Sequence, residues 1–160
     1  MKIMMIDDER DCMESLATAL EPAGHHADMF TSPADAVTQY AQGNYDVVIT
    51  DMRMPRMTGI QVLRVIRQID PEARVIIMTG YGDAETAIAA VNNGAYAFFG
   101  KPVNIAELIE VLERVGKEQE KIKLSKAEQE RMAQEYQRLK KAHDEMIKLL
   151  DCTRSKKLEG

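Results

Sequence analysis

The chain has 160 residues, 45% hydrophobic and 29% charged, with a net charge of −5 and no tryptophan. No apolar stretch approaches the roughly 20 residues of a membrane-spanning helix, and the N-terminus enters a β-rich run without a signal peptide. A cytoplasmic protein of one modest domain plus an appendage is expected, with Cys12 and Cys152 as free thiols because their spacing suits no metal.

The run Ile3-Met4-Met5-Ile6 reads as a strand and ends at Asp7-Asp8. Met13, Leu16, Ala17 and Leu20 then recur at helical spacing until Pro22-Ala23-Gly24 closes the element. His26 to Phe30 is a weaker strand, and Ser32-Pro33 opens a helix with a capping residue and a first-turn proline. Val47-Val48-Ile49-Thr50 is a strand ending at Asp51; the helix after it carries Ile60, Leu63 and Ile66 and stops before Pro71. Val75-Ile76-Ile77-Met78 ends at Thr79, and its helix is expected to open at Asp83 and close at Asn93-Gly94. Tyr96-Ala97-Phe98-Phe99 leads to Lys101-Pro102, and Asn104, with Glu107 three residues on, caps the last helix.

Strand–helix units in series predict an α/β fold: a flavodoxin-like five-stranded parallel sheet, doubly wound, with helices on both faces. Ligands of such sheets sit beyond the carboxyl ends of the strands, where Asp7, Asp8, Asp51, Thr79 and Lys101 all fall. Carboxylates brought close repel unless a cation holds them, and hard oxygen ligands suit Mg²⁺.

An acid pair, a lone aspartate, a threonine and a lysine, each closing its own apolar run in that order, resemble the receiver domain of two-component response regulators over residues 1–115. The family's D-x-x-M-P-x-x-x-G pattern is here Asp51-Met52-Arg53-Met54-Pro55-Arg56-Met57-Thr58-Gly59. The resemblance implies that Asp51 is the phosphoacceptor and that Asp7, Asp8, Asp51 and the backbone carbonyl of Arg53 hold one Mg²⁺. It also implies that Lys101 and Thr79 contact the phosphoryl group, that Phe98 is the switching aromatic, and that a cis Pro102 aims the lysine. Arg53 and Tyr81, two residues beyond Asp51 and Thr79, overhang the site and would tune phosphoryl lifetime. The implied partner is a cognate sensor histidine kinase, and the implied role is signalling rather than enzymatic turnover. Asp8 and Lys101, at ends that water reaches, are expected to be dispensable for the fold.

Two other readings compete. A haloacid-dehalogenase-type phosphatase also uses a strand-end aspartate with Mg²⁺, but needs a second aspartate two residues on, where this chain has Arg53. A pseudo-receiver scaffold would have lost the acids that are intact here.

Residues 1–115 carry 9 Lys/Arg against 17 Asp/Glu, a net of −8, whereas 116–160 carry 12 against 9, a net of +3. A boundary near Val115-Gly116 follows, with an extension over 116–158 and Glu159-Gly160 as a possible tag remnant. Heptads from Leu108 place Leu108, Val115, Ile122, Tyr136, His143 and Leu150 at a, and Val111, Met132, Leu139 and Met146 at d, with a weak stretch between Glu118 and Gln129. A helix from Asn104 to about Leu150 is expected, dimerising in parallel through this stripe, with Gly116 as a point where its direction could change. The sequence after His143 does not match a kinase phosphoacceptor helix, and the interleaved charges of 116–160 do not suggest nucleic-acid binding.

Overall fold

The computed structural model describes residues 1–80 and 84–158. Among these, β1 (Lys2–Ile6), β2 (His26–Phe30), β3 (Val47–Asp51), β4 (Val75–Thr79) and β5 (Ala97–Gly100) alternate with α1 (Arg10–Leu20), α2 (Pro33–Gln42), α3 (Gly59–Ile69), α4 (Ala84–Asn92) and α5 (Ile105–Leu158). The strands pair in parallel in the order β2-β1-β3-β4-β5, as expected for a doubly wound sheet. The order reverses between β1 and β3, so the loops leaving those two strands diverge to opposite faces and open a crevice at their carboxyl ends.

Alternation along each strand builds two apolar layers. Met4, Ile6, Val48, Val75 and Ile77 pack with Tyr40, Leu63, Ile66 and Ala90 from α2, α3 and α4. Ile3, Met5, Val47, Ile49, Ile76 and Met78 pack with Met13, Leu16 and Leu20 of α1 and Leu108, Leu112 and Val115 of α5. Both β3 and β4 are buried along their whole length, as central parallel strands are.

Helix ends follow the local chemistry. The Ser32 side chain accepts from Asp35 N, and Gly24 and Gly94 close their elements at φ +77° and +81°. Asn104 Oδ1 accepts from Ala106 N at 3.1 Å and Glu107 N at 3.4 Å. Helix α3 carries a full capping box between Thr58 and Gln61, whose signature is Thr58-Gly59-Ile60-Gln61.

Several expectations need correction. The fifth strand lies one residue later than 96–99. Alternation along it sets Phe98 against one layer and Phe99 against the other, and both are half-buried because β5 is an edge strand. Asp83, expected to open α4, lies outside the described residues. The chain divides into two units, Met1–Gly116 and Lys117–Gly160. Helix α5 continues through Gly116 and on to Leu158, beyond the expected end near Leu150. Leu108 and Val115, assigned to a dimer seam, are core residues of the first unit, since a helical stripe has the same spacing whichever surface it buries against. The exposed part of the stripe begins at Ile122. No helix among the described residues is long and apolar enough to cross a membrane.

Candidate functional site

Asp7 immediately follows β1 and Asp51 closes β3, so the register Ile6↔Thr50 brings both carboxylates to the crevice. Each is almost fully buried, at 1% and 6% exposure. Two buried anions this close are tolerable only with a counter-charge, and Lys101 supplies it. Its Nζ lies 2.7 Å from Asp7 Oδ2 and 2.8 Å from Asp51 Oδ1. The other oxygens accept backbone N–H groups: Asp7 Oδ1 from Glu9 at 2.9 Å, and Asp51 Oδ2 from Arg53 at 2.7 Å. Burial pushes the Lys101 ammonium down, but its hydrogen bonds with Asp51 and Asp7 outweigh that and raise its pKa well above the usual lysine value.

Backbone contacts fix these side chains. Lys101 N donates to the Thr79 carbonyl at 2.7 Å, tying the lysine to the end of β4, and the Lys101–Pro102 peptide is cis. After β3 the chain turns through Met52 N to Met78 O at 2.7 Å and Gly59 N to Met52 O at 2.9 Å. Met52 and Met54 are buried beneath this loop, and Arg56 adopts φ +72° at its apex. The loop therefore presents the Arg53 N–H to Asp51 as part of a packed turn.

Asp7, Asp51 and Lys101 are thus in direct contact. Thr79 is buried beside them and joined through its carbonyl. Asp8 is exposed, Phe98 is half-buried against the α2/α3/α4 layer, and Tyr81 lies outside the described residues. The backbone N–H groups of Glu9 and Arg53 escaped the sequence reading, since every residue has an N–H and only the turn decides where it points.

Oxygen donors around two buried negative charges fit a hard divalent cation in chemistry. Among the described residues no three acidic, histidine or cysteine groups stand close enough to hold a metal. Asp8 is exposed, and the Lys101 ammonium lies between the other two carboxylates. The exposed Cys12 thiol donates to Glu9 Oε2 at 3.3 Å, and this bond, then partial burial, pushes its pKa up.

The sequence profile of the response regulator receiver domain matches residues 3–113. The C4-dicarboxylate transport transcriptional regulatory protein DctD of Rhizobium meliloti is 35% identical over 112 residues, 70% of this chain and 24% of that protein. The DNA-binding transcriptional regulator NtrC of Escherichia coli is 34% identical over 112 residues, with the same coverage of 70% and 24%. The chain thus spans about a quarter of the length of these relatives. A receiver domain protein of Clostridium thermocellum superposes with a TM-score of 0.71 at 33% identity, covering 76% of this chain and 98% of that one. The beryllofluoride-activated receiver domain dimer of NtrC4 superposes at 0.69 and 28% identity, covering 73% and 97%.

Proposed function

The chain belongs to the response regulator receiver domain family, and from that membership we propose that Asp51 is its phosphoacceptor. The phosphoryl group would come from the phosphohistidine of a cognate sensor kinase: the P–N bond breaks as an Asp51 oxygen forms the new P–O bond. The observation that carries this reading is the pair of buried aspartates, from β1 and β3, held by one lysine. A carboxylate attacks a phosphoryl group only if the charge of both is offset. Lys101, 2.8 Å from Asp51, needs only a small movement to follow the incoming phosphoryl oxygens as a point charge. The Arg53 N–H orients Asp51, and the Thr79 hydroxyl would donate to a second phosphoryl oxygen.

The donor set fits Mg²⁺, which when bound supplies the positive charge that Lys101 gives up on moving. Asp7, Asp8, Asp51 and the Arg53 carbonyl would hold it, with Asp8 turning in from solvent. Thr79 and Phe98, on neighbouring strands, form the proposed switch: as the threonine hydroxyl moves toward the phosphoryl group, the half-buried ring moves into the vacated space. Pro102 sets the direction of Lys101, and Arg53 and Tyr81 would tune how long the phosphoryl group survives. Residues 1–115 form the receiver, which works in the cytoplasm. The helix beyond it pairs with a second copy and couples phosphorylation to control of transcription, the activity in the names of its relatives. The role is that of a signalling module.

Intact-mass analysis after acetyl phosphate tests the reading. Wild type gains one phosphoryl mass with Mg²⁺ and loses that gain when the metal is chelated, while Asp51→Asn gains none. An undiminished increment on Asp51→Asn, or none on wild type, overturns it.

A further inference from the structure

From Met132 onward α5 carries an exposed apolar stripe at steps of four and three, Met132, Tyr136, Leu139, then Met146 and Leu150, with Ile147 and Leu149 beside it. The step between Leu139 and Met146 is occupied by His143, a single imidazole at an a position in an otherwise apolar seam. Its side chain is 65% exposed, and its Nδ1 lies 3.7 Å from Asp144 Oδ1, too long for a hydrogen bond. The seam is also broad, because Ala142 and Leu149 at g and Ile147 at e widen it on both sides. Breadth of this kind does not by itself choose two strands over three or four, nor one direction over the other.

We infer that the occupant of this seam is a second copy of the chain, running parallel and in register, and that His143 fixes that arrangement by meeting the partner's His143. The inference rests on the proposed homodimer and specifies its geometry. In a parallel pair an a residue inserts among four residues of the facing helix, here the partner's Leu139, Ala142, His143 and Met146. Among these the only group that can satisfy an imidazole is the other imidazole: one ring donates its N–H and the other accepts at its bare nitrogen. An antiparallel pair sets His143 against Leu or Met, and a parallel pair shifted by one heptad sets one of the two rings against Leu150, so ring nitrogens are left dry and unbonded. Charge divides the seam into two halves. Glu135 at g faces the partner's Lys140 at the following e position in the parallel register, whereas Lys121 at g would face the partner's Lys126 and repel. The distal half holds the pair and the proximal half resists it.

Sedimentation and disulfide trapping of the full chain test this, with Cys12→Ser and Cys152→Ser as background for trapping. His143→Cys is expected to cross-link between copies under mild oxidation far faster than Glu145→Cys, which lies off the seam. His143→Leu is expected to tighten association by at least about tenfold while adding species heavier than a dimer. A wild-type dimer in which His143→Cys traps no faster than Glu145→Cys, or in which His143→Leu changes neither affinity nor stoichiometry, overturns the histidine's role. A wild-type chain that is monomeric at every concentration overturns the homodimer reading itself.

Discussion

Lys101 is more than a phosphoryl ligand waiting for its substrate: it neutralises two buried carboxylates. Lys101→Ala is still expected to fold, but those contacts give Lys101 a share in stability. Lys101→Ala leaves Asp7 and Asp51 facing each other unpaired, and a buried charged group left without a partner costs about 1–3 kcal/mol or more. Chemical denaturation is expected to show that loss, and Mg²⁺ to restore more stability to Lys101→Ala than to wild type, because a metal cation can replace the missing ammonium. Asp8→Ala, at an exposed position, is expected to keep wild-type stability while impairing phosphorylation. His25 makes a separate prediction. It is buried at the start of β2 with Nδ1 unbonded, and burial, the N-terminal amine and His26 lower its pKa against an opposing pull from Glu113. The folded state then binds fewer protons than the unfolded chain, so stability is complete above the ordinary imidazole value of 6.5 and falls as pH drops below it. Melting temperatures at pH 7.5 and 5.5 should differ less in His25→Gln than in wild type.

At the scale of elements, the start of α3 decides the geometry of the acceptor. A Cβ added to Gly59 would lie 2.5 Å from the Asp51 carbonyl oxygen and 3.1 Å from Met52 Cα, both rigid backbone atoms. The glycine is what lets α3 begin directly against the end of β3. Gly59→Ala must push the helix away, at a cost of about 1–3 kcal/mol by analogy with overpacked cores, and with it the turn that aims the Arg53 N–H at Asp51. Thr58→Ala removes only the cap, worth about 1 kcal/mol. Both variants should be destabilised on denaturant titration, but only Gly59→Ala should also slow phosphorylation by acetyl phosphate. Equal phosphorylation rates would mean that the turn tolerates the displacement.

At the scale of the molecule, the two units bury their apolar residues differently. The first has its own two-layered core, closed by Leu108, Leu112 and Val115. In the second, Met132, Tyr136, Leu139, Met146 and Leu150 are exposed to water, and each Leu-sized side chain gains roughly 1.5–3 kcal/mol on burial. Leu139→Glu in the full chain should therefore abolish dimerisation in light scattering while leaving phosphorylation of Asp51 intact. A dimer that survives Leu139→Glu would place the contact elsewhere.

Much of this was written in local order. Apolar runs, caps and glycines specify which segments are strands and helices, because hydrogen bonding and periodicity act within a few residues. The five strand-end positions were legible for the same reason: a parallel sheet collects its carboxyl ends at one edge, so Asp7, Asp8, Asp51, Thr79 and Lys101 all fall along that edge. Three matters depend on distances between segments far apart in the chain, and only the tertiary structure decides them. Lys101 could have pointed to solvent; its position 2.7 Å and 2.8 Å from two buried aspartates follows from the packing of β5 beside β4. Glu9 and Arg53 became ligands of the carboxylates through turns that their side chains do not encode. Leu108 and Val115 share a heptad spacing with Leu139 and Met146, yet the first pair closes a core and the second faces water. Spacing specifies that a helix has an apolar face, and only the surrounding fold determines whether that face is already covered.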